Sequence, residues 1–147
     1  MPVTTPVKHR LPVAALHYFG CVFGAGFVLG AIRVPLLVPR LGVRSAELVE
    51  MPLMFVVIVL AARWVVRRHA LAPAWPERLG VGLLALALLL CAEFGLVLQL
   101  QGGTIAGYLS SRDPVSGAVY AAMLVVFAAM PLILARRAPP SRRSDDA

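Results

Sequence analysis

A chain of 147 residues that is 60% hydrophobic and only 14% charged carries more apolar surface than a soluble domain of its size can hide. That excludes a soluble globular fold. The formal charge of +7 would otherwise suggest nucleic acid, but the basic residues stand at the ends of apolar runs, so the expected partner is a lipid bilayer with anionic headgroups and no nucleic acid. The expected fold is all-α: a polytopic membrane protein, a four-transmembrane-helix bundle in one domain.

In chain order, residues 1–10 form a short segment with Lys8 and Arg10, ahead of a membrane domain over 11–136. The first span is expected at 11–32. Its apolar run is too long for a signal-peptide core, and no small-x-small cleavage site follows it. Within it Gly20 and Gly24 make one small-xxx-small pair and Gly26 and Gly30 another. At 100° per residue the pairs point to different faces, as helix-packing positions that could meet two neighbours. His17 reads as a hydrogen-bonded packing residue, and Cys21 and Cys91 as small buried hydrophobes.

Arg33 closes the first span, and Arg40 and Arg44 follow in a loop. The second span is expected at about 48–66, capped by Ser45, with Glu47 and Glu50 near its start and favoured by the positive helix end. Pro52 predicts a kink at 50–52 or a helix that starts there. Arg63 lies one turn before Arg67 and can snorkel to the interface. "PAWPERLG" (73–80) then breaks the chain before a third span at 79–100. "QGG" (101–103) ends that span with glycine available for a left-handed cap. "TIAGYLSS" (104–111) predicts a short interfacial helix, and Asp113 and Pro114 predict the cap and first residue of a fourth span at 115–134. The tail, 137–147, is charged and Pro-rich, with the composition of a disordered segment.

With four spans, both termini and the middle loop share one side. That side holds Lys8, Arg10, Arg63, Arg67, Arg68, Arg78, Arg136, Arg137, Arg142 and Arg143, ten of the fourteen basic residues. The positive-inside rule then places both termini in the cytoplasm, and Trp64 and Trp75 flank the middle loop as interfacial anchors should.

The candidate intramembrane polar site comprises Glu93, Glu47, Glu50, Arg33, Arg40 and Arg44. Glu93 is flanked by apolar residues near the middle of its span, where an ionised carboxylate is costly. It is expected to face the bundle and to pair with a cation, Arg33 first among them, or to be protonated. Gln99 and Gln101 would continue a polar path outward. Glu47, Glu50 and the arginines form either a solvated, salt-bridged rim or an anion-binding or proton-accepting vestibule. No cofactor is expected. With His9 and His69 in or near water, His17 lacks a second axial ligand for haem, and no cluster suits zinc.

At "AIRVPLLVPRLGVRSAELVEMPLM" and at "YLSSRDPVSGAVY" the chain resembles an uncharacterised family of small four-span bacterial integral membrane proteins. The resemblance implies an inner-membrane, multi-pass protein and brings no activity with it. Small multidrug transporters are similar in size but carry their membrane glutamate in the first helix, where this chain has His17 and glycines. Four-span disulfide-generating proteins need paired loop cysteines, and this chain has none. Two functions remain: a small transporter or transport accessory using an intramembrane carboxylate, or a non-catalytic assembly protein whose glycine faces bind a homo-oligomeric or other membrane partner. A membrane enzyme ranks third, because no nucleophile–base pair falls at matching depth.

Overall fold

The computed structural model describes residues 7–136. The first six residues, the charged tail over 137–147 and the side chains of Val7, Lys8, Gln101 and Arg136 lie outside what it describes. The described chain is all-α: α1 (Val7–Leu36), α2 (Val38–Arg68), α3 (Trp75–Gln101), α4 (Ile105–Ser111) and α5 (Pro114–Arg136). All but α4 are long and apolar enough to cross a membrane, so this is a four-transmembrane-helix, multi-pass protein. Each long helix packs on two others, in the cyclic order α1, α2, α5, α3.

The core explains that arrangement. Ala14, Ala15, Tyr18 and Val22 of α1 recur at helical spacing on one face, as do Ile58, Ala61, Ala62 and Val65 of α2 and Val81, Ala85 and Leu89 of α3. The inward stripes are rich in alanine. Larger side chains such as Leu16, Val28, Leu60 and Val125 point outward, where lipid would cover them. Lipid removes the hydrophobic force between helices, so close approach and hydrogen bonds must hold the bundle.

Two contacts between helices show both means. Gly82 of α3 meets the backbone of α5 so closely that a Cβ built there would overlap the Ala128 carbonyl oxygen. Pro131, fully buried in α5, has no N–H to offer the carbonyl of Phe127 one turn earlier. The Tyr18 hydroxyl donates to that carbonyl at 2.7 Å from across the bundle, and the Tyr18 and Phe127 rings stack at 4.5 Å. A proline-freed acceptor in a dry interior is thus satisfied by the one buried tyrosine able to reach it.

Several sequence expectations are corrected at the α1–α2 junction. The residues expected as a loop, 33–47, are almost wholly helical, because α1 runs on to Leu36 and α2 begins at Val38. The residue that leaves helical dihedrals is Gly42 (φ 78°, ψ 165°), a conformation open essentially only to glycine. Pro52 lies within α2, and the break falls at Gly42 instead of 50–52. Ser45 consequently sits inside the helix and caps nothing. Cys21 and Cys91, expected to be buried, are exposed on the bundle's exterior and free.

Other local readings hold. Gly102 caps α3 in the left-handed conformation, and Thr104 Oγ1 accepts from the Gly107 N–H to start α4. Asp113 accepts from the N–H groups of Val115 (3.1 Å) and Ser116 (3.0 Å), with Pro114 as the first residue of α5. At the opposite end α2 closes in a Schellman motif, in which Ala70 N–H meets Arg67 O and Leu71 N–H meets Val66 O. Ala70 takes the left-handed position (φ 45°) usually held by glycine. Arg78, read from sequence only as an orienting charge, is buried there and donates to the carbonyls of Ala72 (2.9 Å) and Leu71 (3.2 Å), pinning the α2–α3 loop.

Candidate functional site

The α4 end of the bundle is hollow. A cavity of about 290 Å³ lies among α1, α2, α3 and α5, and Gly26 and Gly30 of α1 leave room on one wall. Phe23, Phe27, Met51, Met54, Leu89 and Leu96 make it largely apolar. Arg33, Glu47, Glu50, Glu93, Tyr108, Arg112 and Tyr120 bring polar groups to the same space. A second cavity of about 370 Å³ lies among α3, α4 and α5 and shares Glu93, Tyr108, Arg112, Tyr120 and Leu124 with the first.

Arg33 is presented by the last turn of α1, where a cation suits the negative helix end. It meets Glu50 at 3.1 Å and Glu47 at 3.8 Å, two carboxylates three residues apart on one face of α2. All three side chains are less than a quarter exposed, so solvent screens the cluster only weakly. The alignment is imperfect, since Arg33 Nε and Glu50 Oε2 are buried without a hydrogen-bond partner.

Glu93 does not pair with Arg33. Its Oε2 instead accepts a short hydrogen bond from the Tyr120 hydroxyl of α5. Arg33 is drawn to Glu47 and Glu50 because the short α1–α2 junction folds those residues back beside it. Arg112, which joins α4 to α5, donates to the Tyr108 hydroxyl (2.7 and 3.2 Å) and lies over the rings of Tyr108 (5.2 Å) and Tyr120 (4.6 Å). No carboxylate comes within ion-pair reach of Arg112 among the described residues.

The other two candidates lie elsewhere. Arg44 pairs with Asp113, donating through Nε at 2.9 Å and joining the first turns of α2 to the start of α5. That hydrogen bond, with the backbone donor of Ser116 and the positive charge of Arg44, holds the Asp113 carboxyl well below its ordinary range, at about 2. Arg40 is exposed and lines neither cavity, and Gln99 is likewise exposed and outside both. The helix-packing candidates Gly20, Gly24 and Gly30 have nothing within 4 Å of a built Cβ, and Gly26 meets only the Met54 side chain at 3.5 Å. The close helix crossing belongs to Gly82.

At the far end His17 finds a partner in His69, which the sequence places in or near water. His17 Nδ1 and His69 Nε2 are 2.9 Å apart, one donating to the other, with Trp64 edge-on to His17 at 5.9 Å. Burial, then the neighbouring positive forms of His17 and Arg68, push the His69 pKa down, which favours the neutral ring that such a bond needs.

Sequence reasoning missed Tyr108, Arg112 and Tyr120 as site residues. The signal was present. Tyr108 and Arg112 stand at i, i+4, and Tyr120 is a polar-tipped side chain inside an apolar span, where a buried hydroxyl needs a partner. Compared with known proteins, the chain matches no family model, no curated protein and no solved structure.

Proposed function

We propose that this is a bacterial inner-membrane transporter or transport accessory with both termini in the cytoplasm, related to the small four-span proteins its sequence resembles. In that orientation the hollow α4 end faces away from the cytoplasm, and solute and protons reach Glu93 from that side. The observation that carries the reading is the convergence on one cavity of ionisable side chains from different helices: Arg33 from α1, Glu47 and Glu50 from α2, and Glu93 from α3. Charges placed inside an apolar bundle are costly and mark a pathway by default.

The test is proteoliposomes loaded with a pH-sensitive dye and challenged with a panel of small solutes. Solute-dependent proton movement is expected in the wild type and lost in Glu93→Gln, with the variant still eluting as the same folded species. Absence of such movement for every solute would remove transport.

A second reading, membrane assembly, draws on a separate observation. Gly20 and Gly24 are exposed on α1 with no neighbour near a built Cβ among the described residues, leaving a surface for a second helix. It expects Gly24→Leu to break up a detergent-stable complex, and a wild type that is already monomeric would rule it out.

A further inference from the structure

The charges on the cavity wall narrow what it can hold. Five lining residues carry formal charge, Arg33 and Arg112 against Glu47, Glu50 and Glu93, which leaves one negative charge in excess. Neither arginine forms an ion pair with Glu93. Arg33 faces Glu47 and Glu50 together, and Arg112 is held by the Tyr108 hydroxyl and by the faces of two tyrosine rings. Glu93 alone among the carboxylates meets only a neutral donor, the Tyr120 hydroxyl. An ionised carboxylate in a weakly solvated site attracts a counter-cation strongly.

The surroundings of Glu93 define the kind of cation. Leu89 and Leu96 flank it on α3, and Phe23 and Phe27 of the neighbouring α1 line the same space with Met51 and Met54 of α2. A bare metal ion would find too few ligands, since no three His, Cys, Asp or Glu side chains converge to hold one among the described residues. An anion would add a second uncompensated negative charge, and a zwitterion would leave the first in place. The volume of about 290 Å³ corresponds to about ten water-sized groups, enough for an organic ion with one ring.

We propose that the cavity binds a monovalent amphipathic organic cation, an aryl- or alkylammonium of about ten heavy atoms, with its charged centre at Glu93 and its apolar body against Phe23, Phe27 and Met54. This rests on the preceding reading of the cavity as a solute site and adds the class of solute. Aromatic faces and methionine thioethers suit such a body, because both are polarisable and adapt to shape.

The test uses the purified full-length chain in detergent and radiolabelled benzyltrimethylammonium as the probe. Binding should be saturable and competed by phenethylammonium. Neopentylbenzene, the uncharged isostere, and phenylmethanesulfonate, an anion of similar shape, should compete poorly. Glu93→Gln should weaken binding at least about tenfold, the loss expected for a charged hydrogen-bond partner. Arg40→Gln, which alters a residue outside both cavities, should leave binding unchanged.

Should Glu93→Gln not fold, Tyr120→Phe keeps the ring beneath Arg112 and removes only the donor competing for Glu93. That variant should bind the cation more tightly and leave neopentylbenzene unaffected. Equal competition by the neutral or anionic compound, or cation binding indifferent to Glu93 and Tyr120 alike, would overturn the proposal. Cation binding without movement in proteoliposomes would retain the ligand class and remove transport. Solute-dependent proton movement without cation binding would do the reverse.

Discussion

At the α2–α3 loop end, alanines, Gly82 and the stacked Tyr18 and Phe127 bring the helices into close contact, and the polar groups of Tyr18 and Arg78 are matched to backbone carbonyls. At the α4 end the same helices stand apart around a cavity whose charges are matched to one another only in part. The difference lies in what fills the interior. Small residues let backbones meet, whereas Met51 and Met54 of α2, opposite Gly26 and Gly30 of α1, leave a gap that charged side chains reach into. One end therefore supplies rigidity and the other supplies chemistry, and substitutions should separate along that line.

The strongest break of the contrast is Gly82→Leu. Its side chain would have to displace the α5 backbone, and overpacking of this kind costs about 3 kcal/mol or more. Unfolding by SDS titration in mixed micelles should show the largest loss of any variant here. Next comes Tyr18→Phe, which leaves the Phe127 carbonyl without a partner at a cost of about 1–3 kcal/mol. In a Pro131→Ala background the restored N–H can serve that carbonyl, so the second tyrosine substitution should cost far less. A double-mutant cycle that came out additive would reject this account.

A smaller gain is expected from Ala70→Gly. It relieves a left-handed alanine at the loop and should stabilise by about 1 kcal/mol, read as a rise in thermal midpoint.

The smallest effects are in pH, and they fall in different windows at the two ends. His69 has a lowered pKa when folded, so its contribution is present above the ordinary 6.5 and is lost as pH falls below that value. The Asp113 pKa is held at about 2 against an ordinary 3.8, so the anchor between α2 and α5 persists until pH falls below about 4 and is lost towards 2. Hydrogen exchange should thus loosen first around His69 as pH drops through 6, while amides near Ser116 stay protected. Simultaneous loosening of the two ends would contradict the separation.

The four spans, the α4 helix, the Gly102 cap and the Asp113 cap were legible in the sequence, because apolar length and short-range capping chemistry suffice to specify them. The α1–α2 junction was not. Pro52 reads as a breaker by the logic of soluble helices, but helices in an apolar bundle carry prolines through, and the break went to the residue that could adopt φ 78°. Of the polar site, Arg33, Glu47, Glu50 and Glu93 do line one cavity, while Arg40 and Arg44 do not. The partner of Glu93 was missed because a charge was sought where a tyrosine hydroxyl serves. Gly82 was missed because it makes no small-xxx-small pair, whereas Gly20 and Gly24 do and meet nothing among the described residues.

The cyclic order of the helices also bears on biogenesis. α5 provides both the carbonyl that Tyr18 seeks and the hydroxyl that Glu93 accepts from, so neither is at hand until the ribosome has made it. During insertion α1 to α3 must wait in the bilayer with a tyrosine and a glutamate unsated. Addition of α5 closes the ring of helices around the hollow.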